Sequence, residues 1–168
     1  MSHHVLEIAP RDVSAAALGL VLDAPAPTPL VSEQLTDSAA GTLTLGVLGA
    51  SHVVTAESGE HMLTEQVSCD AVDAGGRLLP DREDRGSYRF RSRAITLQRD
   101  ELARRAEELR DAASSGPGWL CAGFPGDGDA LTVLTGTAES GEWYWRTWHL
   151  YPHADSGVIV ETESRWRP

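Results

Sequence analysis

The chain has 168 residues, of which 41% are hydrophobic and 23% charged, with 14 cationic against 25 acidic side chains and a net charge of −11. That length suits one domain with its own core, residues 1–168. The acidic balance argues against gripping a nucleic-acid backbone, which needs clustered cations. Every cationic side chain other than histidine is an arginine. The absence of lysine excludes Schiff-base chemistry and a phosphate-loop lysine.

In chain order, Val5 to Ile8 reads as a short strand and "PRDVSAAALGLVLDAP" as a buried helix with Asp12 at its N-cap. Pro25, Pro27 and Pro29 then make a stiff connector. Thr42 to Ala56 is rich in strand formers and interrupted by Gly46 and Gly49, which predicts a strand with a bend or bulge at the glycines. His61 to Cys69 alternates, with Leu63, Glu65, Val67 and Cys69 on one side. Asp73 to Gly86 is a polar loop. Ser87 to Leu97 alternates cleanly: Tyr88, Phe90, Ser92 and Ala94 face one way, Arg89, Arg91 and Arg93 the other.

"QRDELARRAEELRDAASSG" is the clearest helix, with a narrow apolar stripe of Leu102, Ala106, Leu109 and Ala113 and a Glu101–Arg105 pair on its solvated side. Short strands with glycine-rich turns fill the rest: "GWLCAGF", "ALTVLTGTA", "WYWRTWHLYP" and "GVIVETESRWRP". The fold class is therefore α+β, a mostly antiparallel sheet or partial barrel with two helices packed on it. The chain also reads as two related β-α-β-β-β halves, since "IAPRDVSAAAL" and "TLQRDELARRA" both open a helix with Arg-Asp after a strand-like run.

The stretch "WYWRTWHLY", Trp143 to Tyr151, holds five of the ten aromatics. As a strand it puts Trp143, Trp145, Thr147, His149 and Tyr151 on one face and Tyr144, Arg146, Trp148 and Leu150 on the other. Large rings on both faces predict a central strand covered twice. A pocket beside it would draw its ligand contacts from Trp145, Arg146, Trp148, His149 and Tyr151. His52, Glu65 and His149 are the candidate catalytic groups. Glu65 lies among apolar neighbours and needs a cation or another donor, for which Arg146, His52 and His149 are candidates. Arg89, Arg91 and Arg93 match Glu161 and Glu163 of the last strand as a cross-strand charge ladder, or else line a charged barrel interior.

Asp127 and Asp129 lack the further oxygens of a calcium loop, and His149 and His153 lack a second ligand pair for zinc, so neither a metal nor a cofactor is predicted. Cys69 and Cys121 read as free thiols in strands. The N-terminal residues lack a signal-peptide pattern and no run reaches membrane-spanning length, so the expected setting is the cytoplasm, as a monomer or homodimer.

Taken together, "PRDVSAAALGL", "LGASHVV", "TEQVSC", "FPGDGDALT", "TWHLYP" and "VETES" resemble an uncharacterised bacterial family classed as a domain of unknown function. The likeness runs over nearly the whole chain and implies a stand-alone protein, but brings no catalytic residue with it. The residues themselves favour a binding protein for a small ligand or a protein partner. The alternatives are a small acid–base enzyme acting on a polar or phosphorylated metabolite, and a structural protein with no small-molecule site.

Overall fold

A computed structural model describes residues 4–10, 31–48, 51–68, 82–85, 87–124 and 127–168. Five strands form the first sheet: β1 (His4–Pro10), β2 (Val31–Asp37), β3 (Gly41–Leu48), β4 (Ser51–Ser58) and β5 (His61–Ser68), in the order β1-β5-β4-β3-β2. Six form the second: β6 (Arg82–Arg85), β7 (Tyr88–Gln98), β8 (Trp119–Phe124), β9 (Asp127–Glu139), β10 (Glu142–Pro152) and β11 (Ser156–Trp166), in the order β6-β7-β11-β10-β9-β8. Every pairing is antiparallel. Helix α1 (Arg99–Ser114) joins β7 to β8.

The turns follow from local chemistry. Asp37 accepts hydrogen bonds through Oδ1 from the backbone N–H groups of Ala39 and Ala40, both at 2.9 Å, and folds the β2–β3 reversal. Gly41 completes it at φ +110°. Ser140 and Gly141 both take positive φ in the two-residue loop between β9 and β10, the conformation that matches strand twist in a tight hairpin.

Alternation then sorts side chains between layers. Leu43, Leu45, Val47, Val54, Ala56, Leu63 and Val67 of the first sheet pack against Tyr88, Phe90, Trp143, Trp145, Val160 and Trp166 of the second. On the opposite face of the second sheet, Leu102, Ala106 and Leu109 of α1 cover Leu131, Val133, Trp148, Leu150 and Ile159. Burying each such leucine contributes roughly 1.5–3 kcal/mol, and this stripe, rather than helix propensity, holds α1 in place. Glu101 turns back to accept from the Gln98 backbone N–H at 3.4 Å, and Arg105 pairs with Glu108 at 2.9 Å in place of the expected Glu101–Arg105 pair.

Several expectations change. The run from Thr42 to Ala56 is two strands, because the chain reverses between Leu48 and Ser51; Gly46 pairs regularly with Ser32 and Val53. Val31–Asp37 forms a strand, β2, ahead of the first one expected in this region, and the polar loop contains β6. The partial barrel is instead two sheets. Where β2 approaches β8, the Glu33 carboxylate accepts from the Cys121 backbone N–H at 2.8 Å, a side-chain bridge rather than a ladder. One helix stands among the described residues; the segment expected to form the other, 10–25, lies outside them save Pro10 at the end of β1. The halves carry four strands after the intervening segment, not three. β1 lies beside β5 as β7 lies beside β11, and each meander descends in the same order.

Candidate functional site

Two arrangements include the residues singled out in the sequence, one inside the sandwich and one on its surface. Inside, Glu65 of β5 is fully buried. Its carboxylate accepts from the Tyr88 hydroxyl, from Ser164 Oγ at 2.6 Å and from Trp145 Nε1 at 3.3 Å. These are neutral donors. Arg146 does not reach it, because residues 145 and 146 of a strand project from opposite faces.

Further along β10, Thr147 Oγ1 lies 3.1 Å from His52 Nε2 and hydrogen-bonds the Thr162 hydroxyl. Thr132 Oγ1 hydrogen-bonds His149 Nδ1. The two imidazoles lie with centroids 5.4 Å apart, their planes tilted by 56°. His52, Glu65, Thr132, Thr147 and His149 are all at 0% exposure, so the three candidate catalytic groups lie in one sealed polar seam. Tyr151, half-buried at the end of the seam, meets the ring of His153 edge-on at 5.2 Å.

The outer face of the second sheet is different. Register sets its side chains in rows across β7, β11 and β10: Arg89–Arg165–Tyr144, Arg91–Glu163–Arg146 and Arg93–Glu161–Trp148. The next row, Ile95–Ile159–Leu150, is apolar and lies under α1. The helix thus covers one end of the face and leaves the arginine rows open. A groove of about 350 Å³ runs between Arg91, Arg93, Arg146, Glu161 and Glu163. A second, of about 180 Å³, lies between Ser87, Arg89, Glu142, Arg165 and Arg167.

Ion pairing on this face is graded. Arg93 pairs with Glu161, which also accepts from Trp148 Nε1 at 3.2 Å. Arg146 pairs with Glu163 at 3.1 Å and lies over the Trp148 ring, 5.3 Å from its centroid. That ring stacks in turn on Trp119, 5.9 Å away. Arg165 grips Glu142 through both carboxylate oxygens, at 2.9 and 3.1 Å; Arg167 and the Tyr144 hydroxyl complete the cluster. These contacts, the Arg165 hydrogen bonds first, hold the Glu142 carboxyl down at about 2. The same bonds push the Arg165 and Tyr144 values up, and the Glu161 bond does so for Arg93.

The strand Trp143 to Tyr151 therefore divides the expected ligand contacts between two places: Trp145, His149 and Tyr151 face the sandwich interior, whereas Arg146 and Trp148 face outward. Glu161 and Glu163 form the solvated ladder with Arg93 and Arg146 rather than a charged interior. The Glu142 cluster was missed. Its glutamate belongs to "ESGE", which reads as turn residues, and its arginines follow 23 and 25 positions later. Cys121 is a half-buried free thiol whose value is pushed up by burial and by the charge of Glu33. Cys69 and the side chains of Asp127 and Asp129 lie outside the described residues. Among the described residues, no three His, Cys, Asp or Glu side chains are grouped to hold a metal ion, and no helix is long and apolar enough to cross a membrane.

These features define an antiparallel two-sheet α+β protein with a polar seam sealed in its core and an arginine-rich outer face. The chain belongs to the family described as protein of unknown function DUF2617, whose model matches residues 15–165. It is 48% identical over 168 residues, the whole of both chains, to the uncharacterized proteins Rv2598 of Mycobacterium tuberculosis (strain ATCC 25618 / H37Rv) and Mb2629 of Mycobacterium bovis (strain ATCC BAA-935 / AF2122/97). No solved structure matches it.

Proposed function

We propose that the protein binds a small anionic ligand in the groove beside the aromatic strand, on the outer face of the second sheet. One observation carries this reading. Among the described side chains Arg89, Arg91, Arg93, Arg146, Arg165 and Arg167 lie on that face against Glu139, Glu142, Glu161 and Glu163, a surplus of two positive charges on a chain of net charge −11. Guanidinium groups offer forked N–H donors that match carboxylate and phosphate oxygens. Local cationic potential on an acidic molecule also steers an anion to this face. The cytoplasmic setting read from the sequence suits such a ligand.

The acid–base alternative requires His52, Glu65 or His149 to meet a substrate. Their complete burial and their bonds to threonine, serine, tyrosine and tryptophan side chains support a role in specifying the fold.

The test is an NMR titration of the wild type and of Arg91→Ala/Arg146→Ala with inorganic phosphate and with citrate at low ionic strength. The wild type should show saturable shifts confined to β7, β10 and β11, and the double variant should lose them. Shifts that persist in the double variant, or none in the wild type, rule the reading out.

A further inference from the structure

We infer that Glu163 is a resident stand-in for the ligand's anionic group, and that it tunes the groove toward phosphate over carboxylate. This rests on the anion-binding reading above and assigns a specificity role to one residue within it.

Two glutamates on one strand lie in unlike surroundings. Glu161 is fastened by Arg93 and by Trp148 Nε1, and its side chain is only 12% exposed. Glu163 is held, among the described residues, by Arg146, and its side chain is 55% exposed. Register sets Glu163 directly between Arg91 on β7 and Arg146 on β10. A carboxylate there occupies the position from which an incoming anion would meet both guanidinium groups.

Arg93, Arg146, Arg165 and Arg167 all hold a glutamate of this face. Among the described residues Arg91 has no such carboxylate contact, and the nearest one across the strand, on Glu163, is turned to Arg146. An exposed single pair of this kind is worth little, so displacement is inexpensive. The displacing group must still outcompete a carboxylate already in place. A free carboxylate offers one negative charge and no net advantage over Glu163. A phosphate near neutral pH carries more charge and three acceptor oxygens, so it can engage Arg91 and Arg146 together as the Glu163 side chain swings out to solvent. Glu163 thus excludes weak monoanions and admits a phosphate.

The experiment measures inorganic phosphate and acetate affinities of the wild type, Glu163→Gln, Glu161→Gln and Arg91→Ala at low ionic strength, with far-ultraviolet circular dichroism checking each fold. Removing a competing exposed charge should tighten phosphate binding in Glu163→Gln by about fivefold and acetate binding by more, narrowing the preference between them. Glu161→Gln should show no such narrowing, and Arg91→Ala should lose phosphate binding. Wild-type phosphate binding that is unchanged or weakened in Glu163→Gln overturns the stand-in role while leaving the anion-binding reading intact. No phosphate binding by either protein overturns both.

Discussion

The rings of His52 and His149, on two strands that correspond by topology, meet across the sandwich with centroids 5.4 Å apart. β4 is the fourth strand of the first half and β10 the fourth of the second when each is counted from its opening strand, β1 or β7. Thr147 joins this pair to the rest of the seam by contacting both His52 and Thr162. Thr147→Val keeps the shape and removes the hydroxyl, stranding two buried groups. Denaturant unfolding should show a loss of about 1–3 kcal/mol. An unchanged midpoint would mean that the seam contributes nothing to stability.

Glu65 tests the same seam at its other end. Glu65→Ala deletes the acceptor of Tyr88, Ser164 and Trp145 and opens a cavity in the core. The expected cost is on the order of 3–5 kcal/mol. Arg91→Ala, on the exposed face, should stay within about 0.5 kcal/mol of wild type. Equal effects of the two would contradict this division between core and surface.

Glu142 gives the fold an acid-dependent element. Its carboxyl sits at about 2 in the folded protein against an ordinary 4.5. Protons therefore bind the unfolded chain first, so the contribution of this group is fully present above 4.5 and drains away as the pH falls toward 2. Glu142→Gln should lower the melting temperature at neutral pH and flatten its decline over that acid window. Parallel melting curves for the two proteins would show that Arg165 and Arg167 do not stabilise the charged form.

Gly41 is constrained by both space and backbone. A Cβ at this position would lie 1.8 Å from the Glu57 carbonyl oxygen, and its φ is +110°. Gly41→Ala must push β3 away from β4 or rebuild the turn from Asp37. It should cost more than about 4 kcal/mol, or leave the chain without cooperative thermal unfolding. Gly141→Ala has open space around its Cβ and differs only in its φ of +78°, so it should cost about 1 kcal/mol.

Much of the second half was legible because its patterns are local. The alternation of Tyr88, Phe90 and Ser92 with Arg89, Arg91 and Arg93 places β7 and its buried face without further information. The stripe Leu102, Ala106, Leu109 does the same for α1. β10 was readable as a strand with two faces, yet not which face would be sealed, because that depends on where the first sheet lies. The first half was harder. β2 carries Glu33, Gln34 and Thr36 at a sheet margin, so it lacks an apolar rhythm, and the β3–β4 reversal falls within a run rich in strand formers on both sides. The Glu142 cluster depends on bringing together the ends of two strands, for which nearby residues carry no signal.

The strand order also bears on how the protein is made. β7 finds its inner neighbour only when β11 arrives, with Tyr88 opposite Trp166 near the C-terminal end. Until then β7 and β10 both present unpaired hydrogen-bonding edges, the kind of surface through which chains aggregate. Because this pairing joins distant parts of the chain, completion of the second sheet is slow compared with helix or hairpin formation. A ribosome that stops short of β11 releases more than a protein lacking a tail: it releases a sheet with two sticky margins and an uncovered core. The eleven-residue strand β11 thereby closes both of those margins at once.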